Sequence, residues 1–375
     1  MREQSDRDAG PGHAPPGMTI YSHFSTPTGL AVAARGTASA AAAAGIPVRL
    51  AEFRPGMMEP PTQPITVLHT HPDIALRLIE KGWCPAARLL KSRFTVGCWN
   101  FEAPDVLPTG WDDAASLVDE IWAPSSFAAS AGAPQFPVPV VPMPLCISPV
   151  AGPHGRAEFG IEESAFVFLF VFDANSTVAR KNPQGVIQAF VQAFPVPESR
   201  IRLVLKTRAF PEDAFLHLQR QLAVRPDIRF VNETWSDPRT KALIAACDCY
   251  ISLHRAEGFG LTMAEAMYFG KPVIATGYSG NLDFTLPENS HLVPYRWMRL
   301  EQQAGSLPAG MRMAEPDVDA AARLMRRVVE RPAESRALGA RAAAFMRSQF
   351  SAQAVGARIR ARVELLQRSG RLDRR

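Results

Sequence analysis

Hydrophobic and polar residues follow two different patterns along this chain. Short apolar runs of strand length, such as residues 166–172, are separated by longer segments in which apolar residues recur every three or four positions. The first pattern is typical of buried strands and the second of amphipathic helices. Strands that alternate with helices indicate a parallel sheet with helices on both faces. We therefore expect an α/β fold.

The strand pattern occurs in two blocks that are separated by a proline-rich segment. The predicted strands are 18–24, 48–53, 65–69, 94–99 and 138–141, then 166–172, 201–205, 228–231, 247–253 and 271–276. Proline is dense over residues 137–153, and such a segment is stiff and poor in regular structure. The chain is therefore predicted to form two doubly wound, Rossmann-like domains that face a cleft, over residues 18–150 and 151–348.

The two ends of the chain differ from these domains. Residues 1–17 are polar, rich in Gly and Pro, and without the apolar core of an export signal, which predicts a disordered leader. Residues 349–375 combine a final helix with a basic tail, and the helix carries an apolar stripe of Val355, Ile359, Val363 and Leu366. No apolar run reaches about 18 residues, so no membrane-spanning helix is expected.

Composition fits two soluble cores. The chain has 375 residues, which is longer than a single hydrophobic core usually serves. A content of 47% hydrophobic and 21% charged residues is that of a soluble globular protein. The five cysteines lack metal-ligand spacing, and their odd number indicates free thiols in a reducing cytosol. Cys247 and Cys249 share one face of a predicted strand and are interpreted as core packing in preference to a metal site. The predicted location is the cytoplasm.

The net charge of +5 is concentrated in arginines near the C-terminus. A basic helical tail can bind anionic lipid or nucleic acid. No aromatic residues interleave with these arginines as a base-stacking surface requires, so peripheral contact with an anionic membrane, at the inner face of the cytoplasmic membrane, is the favoured interpretation. A merely solvated basic face is the alternative. No nucleic-acid partner is predicted.

A strand-to-helix turn carries the main candidate chemistry. It runs Glu257-Gly258-Phe259-Gly260-Leu261-Thr262 and continues to Glu265 in the first helical turn, and Gly270 is predicted to end the helix. The two glycines let bare backbone approach a ligand, and the unpaired N–H groups at the helix start suit a phosphate. This segment predicts a binding site for a phosphorylated ligand.

The two glutamates of this turn suit a different part of the same ligand. Carboxylates repel a phosphate but accept hydrogen bonds from sugar hydroxyls. A phosphate between two hydroxyl-bearing groups describes a nucleotide sugar, with one glutamate for the ribose and one for the hexose. The alternative is that Glu257 caps the helix and Glu265 is a solvated acid that suits the helix dipole.

At this point the sequence resembles a known family. The segments EGFGLTMAE, GKPVIAT and YSGNLDF together are similar to family 4 of the retaining glycosyltransferases, which have the GT-B fold and a Glu-x7-Glu motif. The resemblance implies that Glu257 contacts the donor sugar and Glu265 the ribose. It also implies that the terminal helix crosses back to the first domain.

The resemblance extends to cations that neutralise the diphosphate leaving group. It implies this role for Lys181 of the Arg180-Lys181 pair, near a helix start. The family often has an arginine at the preceding strand end, where Val171 stands here. Lys206, at the end of the next strand, is the candidate replacement. A solvated surface lysine is the alternative.

Other candidate positions follow from turns and aromatic residues. Gly29 and the Gly280-Asn281 turn are candidates for donor contacts, and tight-turn geometry alone explains them equally well. Trp99 and Glu102 are candidates for the acceptor side, since the aromatic segments there are similar to those of polysaccharide-assembly members, although Cys98 and Phe101 depart from their pattern.

The predicted activity follows from these positions. The protein is expected to transfer a hexosyl group with retention from a nucleotide-diphosphate sugar to a glycan or lipid-linked acceptor, in the synthesis of capsule, exopolysaccharide or O-antigen. No cofactor is predicted, and no metal, because no Asp-x-Asp signature occurs at a plausible site. The alternatives are a nucleotide-sugar epimerase of GT-B fold and a non-catalytic nucleotide-sugar-binding protein.

Overall fold

A computed structural model gives the fold of the chain. It describes residues 15–26, 28–53, 59–73, 92–102, 105–106, 108, 110–198, 200–305 and 307–373. Most of the predicted leader, and a helix expected over 75–81, lie outside the described residues.

The first half forms a six-stranded parallel sheet. Its strands are β1 (Met18–Ser22), β2 (Val48–Glu52), β3 (Ile65–Leu68), β4 (Phe94–Cys98), β5 (Glu120–Ala123) and β6 (Val140–Pro142), in the order β2-β1-β3-β4-β5-β6. The helices described here are α1 (Gly29–Ala43), α2 (Trp111–Ala115) and α3 (Ser126–Gly132). Strands β1, β3 and β4 are buried along their whole length, which explains their apolar runs.

The second half forms another six-stranded parallel sheet. Its strands are β7 (Phe166–Val171), β8 (Ile201–Thr207), β9 (Ile228–Asn232), β10 (Cys249–Ser252), β11 (Val273–Thr276) and β12 (His291–Val293). Its helices are α4 (Val178–Lys181), α5 (Pro183–Ala193), α6 (Glu212–Leu222), α7 (Asp237–Ala246) and α8 (Leu261–Tyr268). The order β12-β11-β10-β7-β8-β9 places a topological switch point between β7 and β10. The predicted doubly wound α/β fold is confirmed.

A small antiparallel hairpin was not predicted. Strands β13 (Tyr295–Arg299) and β14 (Arg312–Pro316) pair separately from the two large sheets. Arginines at 296, 299 and 312 interrupt the apolar runs by which strands are recognised, so the sequence carries only a weak signal here. Ala314 accounts for the position of the hairpin, because its N–H donates to the Arg255 carbonyl beside the Glu257 turn (3.0 Å).

The C-terminal helices are α9 (Val318–Glu330), α10 (Pro332–Gln349) and α11 (Ala352–Arg368). Helix α11 packs on α1 of the first half, and its apolar stripe joins Ala40 and Ala41 in one core cluster. Gly356 permits the contact, because a Cβ there would meet the Ala40 carbonyl. The return of the last helix to the first half, which the resemblance implied, is present.

Several arginines of the basic C-terminal segment bind within the protein. Arg362 and Arg371 form ion pairs with the fully buried Glu120, and Arg360 binds Glu364. These side chains are therefore partly neutralised by the fold, while membrane contact by the remaining arginines stays a prediction. Within the described residues, no helix is both long and apolar enough to cross a bilayer.

Candidate functional site

A cavity of about 280 Å³ lies between the two halves, at the carboxyl ends of β7, β8 and β10. This is the switch point at which doubly wound sheets bind ligands. Many of the predicted site residues line it: Gly29, Glu102, Arg180, Lys181, Lys206, Glu257, Gly258, Phe259, Gly260, Leu261 and Thr262. Segments distant in sequence therefore meet in one place.

The N-terminus of α8 forms part of this cavity. Helix α8 begins at Leu261, and Gly260 precedes it with φ of 98°, a left-handed conformation that favours glycine. The first-turn N–H groups have no partner within the helix, and Leu261, Thr262 and Met263 all line the cavity. The positive end of α8 thus contributes to an anion site.

Glu257 is held by two cations at the cavity wall. Lys181 Nζ lies 2.5 Å from Glu257 Oε1, and an Arg180 guanidinium nitrogen lies 3.2 Å from Oε2. Burial alone would raise the pKa of Glu257, but Lys181 and Arg180 hold it at about 2. At neutral pH this carboxylate is ionised and can only accept hydrogen bonds.

Arg180 also joins the two halves of the molecule. It is buried, pairs with Glu102 of the first half at 3.2 Å, and donates to the Ala256 carbonyl at 3.0 Å. A chain of charges therefore runs from Glu102 through Arg180 to Glu257. Glu102, the predicted acceptor-side acid, borders the same cavity as the predicted donor residues.

Asn182 determines where Lys181 points. The sequence predicts a helix from about residue 184, which corresponds to α5 starting at Pro183, but it does not predict the short helix α4 that ends at Lys181. Asn182 between them is left-handed (φ 55°), accepts a bond from the Gly185 N–H, and donates to the Leu253 carbonyl. Asparagine tolerates this conformation better than most residues, and the break turns Lys181 toward Glu257.

Lys206 lies at the position predicted for a second cation beside the diphosphate. In the β7–β8 register Val171 is paired with Lys206, so the lysine is the direct neighbour of the position that lacks an arginine. Its Nζ donates to the carbonyls of Thr207 (2.9 Å) and Glu233 (2.6 Å) and lies 4.7 Å from the Trp235 ring centroid. Burial lowers the pKa of Lys206 to about 8.

Glu265 does not line the cavity that holds Glu257. Its side chain is 1% exposed and is ion-paired with Lys241. It lines a second cavity, of about 230 Å³. Asp237, Lys241 and Leu261 line both cavities. We expected Glu265 in the first turn of the helix, but α8 starts at Leu261, so Glu265 lies beyond the first-turn residues that line the main cavity.

Three other predicted positions lie behind the cavity wall. Trp99 is 1% exposed and packs against Phe136, with ring centroids 5.5 Å apart, so its ring belongs to the core of the first half. The Gly280 N–H donates to the Glu257 carbonyl, and Asn281 Nδ2 donates to the Thr276 carbonyl. The positions of Gly280 and Asn281 agree with the alternative interpretation, in which they shape a turn.

His254 is a supporting residue that the sequence did not reveal. It is fully buried, with Nδ1 3.1 Å from Ser252 Oγ and Nε2 3.0 Å from Asn281 Oδ1. Burial lowers the pKa of His254, so the ring is neutral and joins β10 to the turn after β11. A lone histidine just after a buried strand carries no distinguishing pattern, so the sequence does not single it out.

Ser125 of the first half contacts the donor-side turn directly. Its buried Oγ donates to the Gly258 carbonyl at 2.6 Å and accepts from the Ala128 N–H at the start of α3. A Cβ at Gly258 would lie 3.3 Å from the Phe101 carbonyl, so glycine permits the close approach of the two halves. The sequence analysis did not single out Ser125, because a serine without a motif around it carries no local signal.

The described residues show no cluster of side chains suited to a metal ion. Within the described part of the chain, no group of three or more His, Cys, Asp and Glu side chains could hold a metal ion. The four described cysteines are buried free thiols. Metal independence stays a prediction.

Solved structures share this architecture. HepE of Anabaena, in complex with UDP and glucose, matches with a TM-score of 0.65 at 15% identity, over 94% of this chain and 100% of that one. Sucrose-phosphate synthase of Thermosynechococcus elongatus matches with a TM-score of 0.65 at 14% identity, over 94% and 99%. Pneumococcal O-GlcNAc transferase GtfA, in complex with UDP and GlcNAc, matches with a TM-score of 0.55 at 15% identity, over 81% and 57%. At these identities the likeness establishes the two-domain GT-B fold alone.

The protein thus has the GT-B fold, with a cavity between its two halves. Residues 155–345, just over half of the chain, match the family described as glycosyl transferases group 1. The chain belongs to this glycosyltransferase family. At the level of whole sequences, no curated protein matches it.

Proposed function

We propose that the protein is a retaining, metal-independent hexosyltransferase that uses a nucleotide-diphosphate sugar as its donor. The acceptor is a glycan or lipid-linked glycan in the assembly of capsule, exopolysaccharide or O-antigen. The observation that carries the proposal is the Arg180–Lys181–Glu257 cluster beside the N-terminus of α8. Membership of the family supports it, as do the fold relatives in complex with UDP or UDP-glucose.

The cavity offers a distinct partner to each part of such a donor. The first-turn N–H groups of α8 and the Lys181 ammonium suit the diphosphate, and Lys206 adds a further cation at the cavity wall. The ionised Glu257 accepts hydrogen bonds from hydroxyls of the hexose. Because two cations hold Glu257, its negative charge repels the diphosphate less than a free carboxylate would.

The proposed reaction exchanges one C–O bond for another on the same face of the sugar. The bond between the anomeric carbon and the diphosphate breaks, and the acceptor oxygen forms the new bond. The acceptor hydroxyl proton passes to the departing phosphate oxygen, so no covalent enzyme intermediate is needed. Lys181 and the α8 N-terminus stabilise the charge that grows on the leaving group, and such electrostatic stabilisation is often the largest catalytic contribution.

Glu102 is proposed to serve the acceptor. It extends from the first half into the cavity and pairs with Arg180, which also holds Glu257. An acceptor hydroxyl bound by Glu102 would therefore lie close to the donor sugar. Trp99 has no part in this proposal, because its ring is buried in the core of the first half.

Two substitutions test the proposal. Glu257→Gln and Lys181→Ala should each lower turnover by about tenfold to a hundredfold, because each removes a group that acts on the transition state. Lys271→Ala, outside the cavity lining, is the matched control and should leave turnover unchanged. Release of UDP or GDP from the corresponding sugar nucleotide is measured with a lipid extract as acceptor, with and without EDTA, after circular dichroism has shown that the variants fold.

The same assay separates the alternatives. Full activity of both variants would contradict the proposed roles, and loss of activity in EDTA would contradict metal independence. Conversion of the sugar nucleotide without an acceptor and without nucleotide release would indicate an epimerase. Calorimetric binding without transfer to any acceptor would indicate a binding protein.

A further inference from the structure

Helix α4, which carries Arg180 and Lys181, is too short to hold its own position. It has four residues and lies between two residues with positive φ, Thr177 (66°) and Asn182 (55°). A single helical turn costs more conformational entropy than its hydrogen bonds return, so helices of this length depend on outside contacts. Threonine is also strained at positive φ, because its side chain is branched at Cβ. The position of Lys181 therefore depends on contacts that other elements make with α4.

Arg255 makes several of these contacts. One of its guanidinium nitrogens donates to the Ala179 carbonyl at 2.7 Å, and its backbone N–H donates to the Arg180 carbonyl at 2.8 Å. Both are carbonyls at the C-terminal end of α4, which a helix leaves unpaired. Arg180 donates in the opposite direction, from its guanidinium to the Ala256 carbonyl at 3.0 Å. Arg255 thus fastens α4 to the segment that leads to Glu257.

Glu315 in turn holds the side chain of Arg255. Its two carboxylate oxygens lie 2.7 and 3.1 Å from two guanidinium nitrogens, and such a two-point contact fixes the plane of the guanidinium. Glu315 belongs to β14, and the N–H of the adjacent Ala314 donates to the Arg255 carbonyl. The side chains of Arg255 and Glu315 are 21% and 23% exposed, and neither lines the main cavity. The β13–β14 hairpin therefore braces α4 from outside the site.

We propose that Arg255 is a positioning residue for the transfer reaction, and that Glu315 locks it in place. This inference rests on the proposed function and names residues that act on the reaction through α4. Because they do not line the cavity, they act by keeping the Lys181 ammonium beside Glu257 and the leaving diphosphate. A misplacement of about 1 Å can lower the rate of a catalysed reaction a hundredfold. Loss of the brace should therefore lower kcat, while donor binding at the N-terminus of α8 changes little.

The test is a double-mutant cycle between Arg255 and Lys181. Arg255→Met should lower kcat about tenfold, while the KM for the sugar nucleotide changes less than about threefold. In the Lys181→Ala background the same substitution should lower kcat by less than about threefold further, because the group that Arg255 positions is already gone. The measurement is nucleotide release from UDP-sugars and GDP-sugars with a lipid extract as acceptor.

Arg156→Met is the matched control. Arg156 also donates to a carbonyl at the end of a helix, that of Ala246 in α7, and forms an ion pair with Asp248 at 2.7 Å. The last turn of α7 does not line the main cavity. Arg156→Met should therefore lower stability, as Arg255→Met does, but keep kcat within about twofold of the parent protein in both backgrounds.

Glu315→Gln keeps the test valid if Arg255→Met does not fold. The amide has nearly the same size but cannot make the charged two-point contact, so kcat should fall about threefold to tenfold, and only when Lys181 is present. Wild-type kcat in either folded variant, or a loss of the same factor with and without Lys181, overturns this inference alone. A wild-type protein that releases no nucleotide from these donors overturns the proposed function and this inference with it.

Discussion

Glu257 and Glu265 show how surroundings decide what one residue type does. Lys181 and Arg180 hold the pKa of Glu257 at about 2 despite its burial. Burial raises the pKa of Glu265 although Lys241 opposes the effect. The two carboxylates lie in different cavities and belong to different ion pairs. They are therefore expected to differ in their ligands and in their response to pH.

Lys206 gives the site a predicted pH dependence. Burial lowers its pKa to about 8, so in the free protein its positive charge is complete well below pH 8 and is lost as the pH rises through 8. An anionic donor binds the charged form better. We expect kcat/KM for the donor to fall above about pH 8, since this parameter reports the free enzyme.

Lys206→Arg is the control for this prediction, because arginine stays protonated in this range. Its kcat/KM profile should remain flat where the wild-type profile falls. An identical fall in both proteins would assign the titration to another group.

At the scale of elements, residues in unusual backbone conformations start the helices that carry the site. Gly260 (φ 98°) precedes α8, and Asn182 (φ 55°) separates α4 from α5. Each makes an abrupt change of direction at the carboxyl edge of the second sheet. As a result, the N-terminus of α8 and the side chain of Lys181 line the same cavity.

The packing of α11 on α1 depends on a single glycine. A Cβ at Gly356 would collide with the Ala40 carbonyl, which cannot move without shifting α1. Gly356→Ala should therefore lower the free energy of unfolding by about 1–3 kcal/mol, as expected for overpacking. The measurement is urea unfolding followed by circular dichroism.

Gly155→Ala is the matched control. A Cβ at Gly155 meets no atom within 4 Å, and its φ of −92° suits any residue. Equal stability of the two alanine variants would show that α11 does not pack closely on α1.

At the scale of the whole molecule, polar contacts hold the two halves together around the cavity. Ser125 Oγ donates to the Gly258 carbonyl, the Ser126 N–H donates to Asp283, and Arg180 pairs with Glu102. The Ser125 contact reaches the turn that contains Glu257, and Arg180 also forms an ion pair with Glu257 itself. Approach of the halves is therefore coupled to the geometry of the proposed donor site.

Substitution of Ser125 tests this coupling. Ser125→Ala should lower kcat about tenfold, because the buried Gly258 carbonyl loses its donor and the turn is less well positioned. The Kd for UDP should change by less than about threefold, since the second half carries most of the proposed nucleotide contacts. Ser126→Ala, which keeps the N–H bond to Asp283, should behave as wild type.

Two further variants separate the loss of the Ser125–Gly258 hydrogen bond from the loss of the N-cap of α3, which Ser125 also provides. Ser125→Thr keeps both bonds and should retain activity, whereas Ser125→Asp keeps the cap acceptor but cannot donate to Gly258. Activity of Ser125→Asp equal to that of Ser125→Thr would contradict the coupling.

Much of the fold could be predicted from local pattern. Buried parallel strands are continuous apolar runs, so β1, β3, β4, β7 and β10 were recognisable, and the stripe on α11 indicated a partner. The Gly260 turn was also evident, because helix starts and glycines have local signatures. The role of Lys181 came only from the family resemblance. Strands β5 and β12 and the β13–β14 hairpin had only weak local signatures and were missed.

The sequence by itself therefore determined the fold class, the order of most strands and the turn where a phosphate is expected, because these depend on residues close together in the chain. Only the tertiary structure decided which charges meet. It paired Glu257 with Lys181, Glu265 with Lys241 and Glu102 with Arg180, and it buried Trp99. Such pairings depend on how sheets twist and helices are oriented, and no local pattern of residues specifies that geometry.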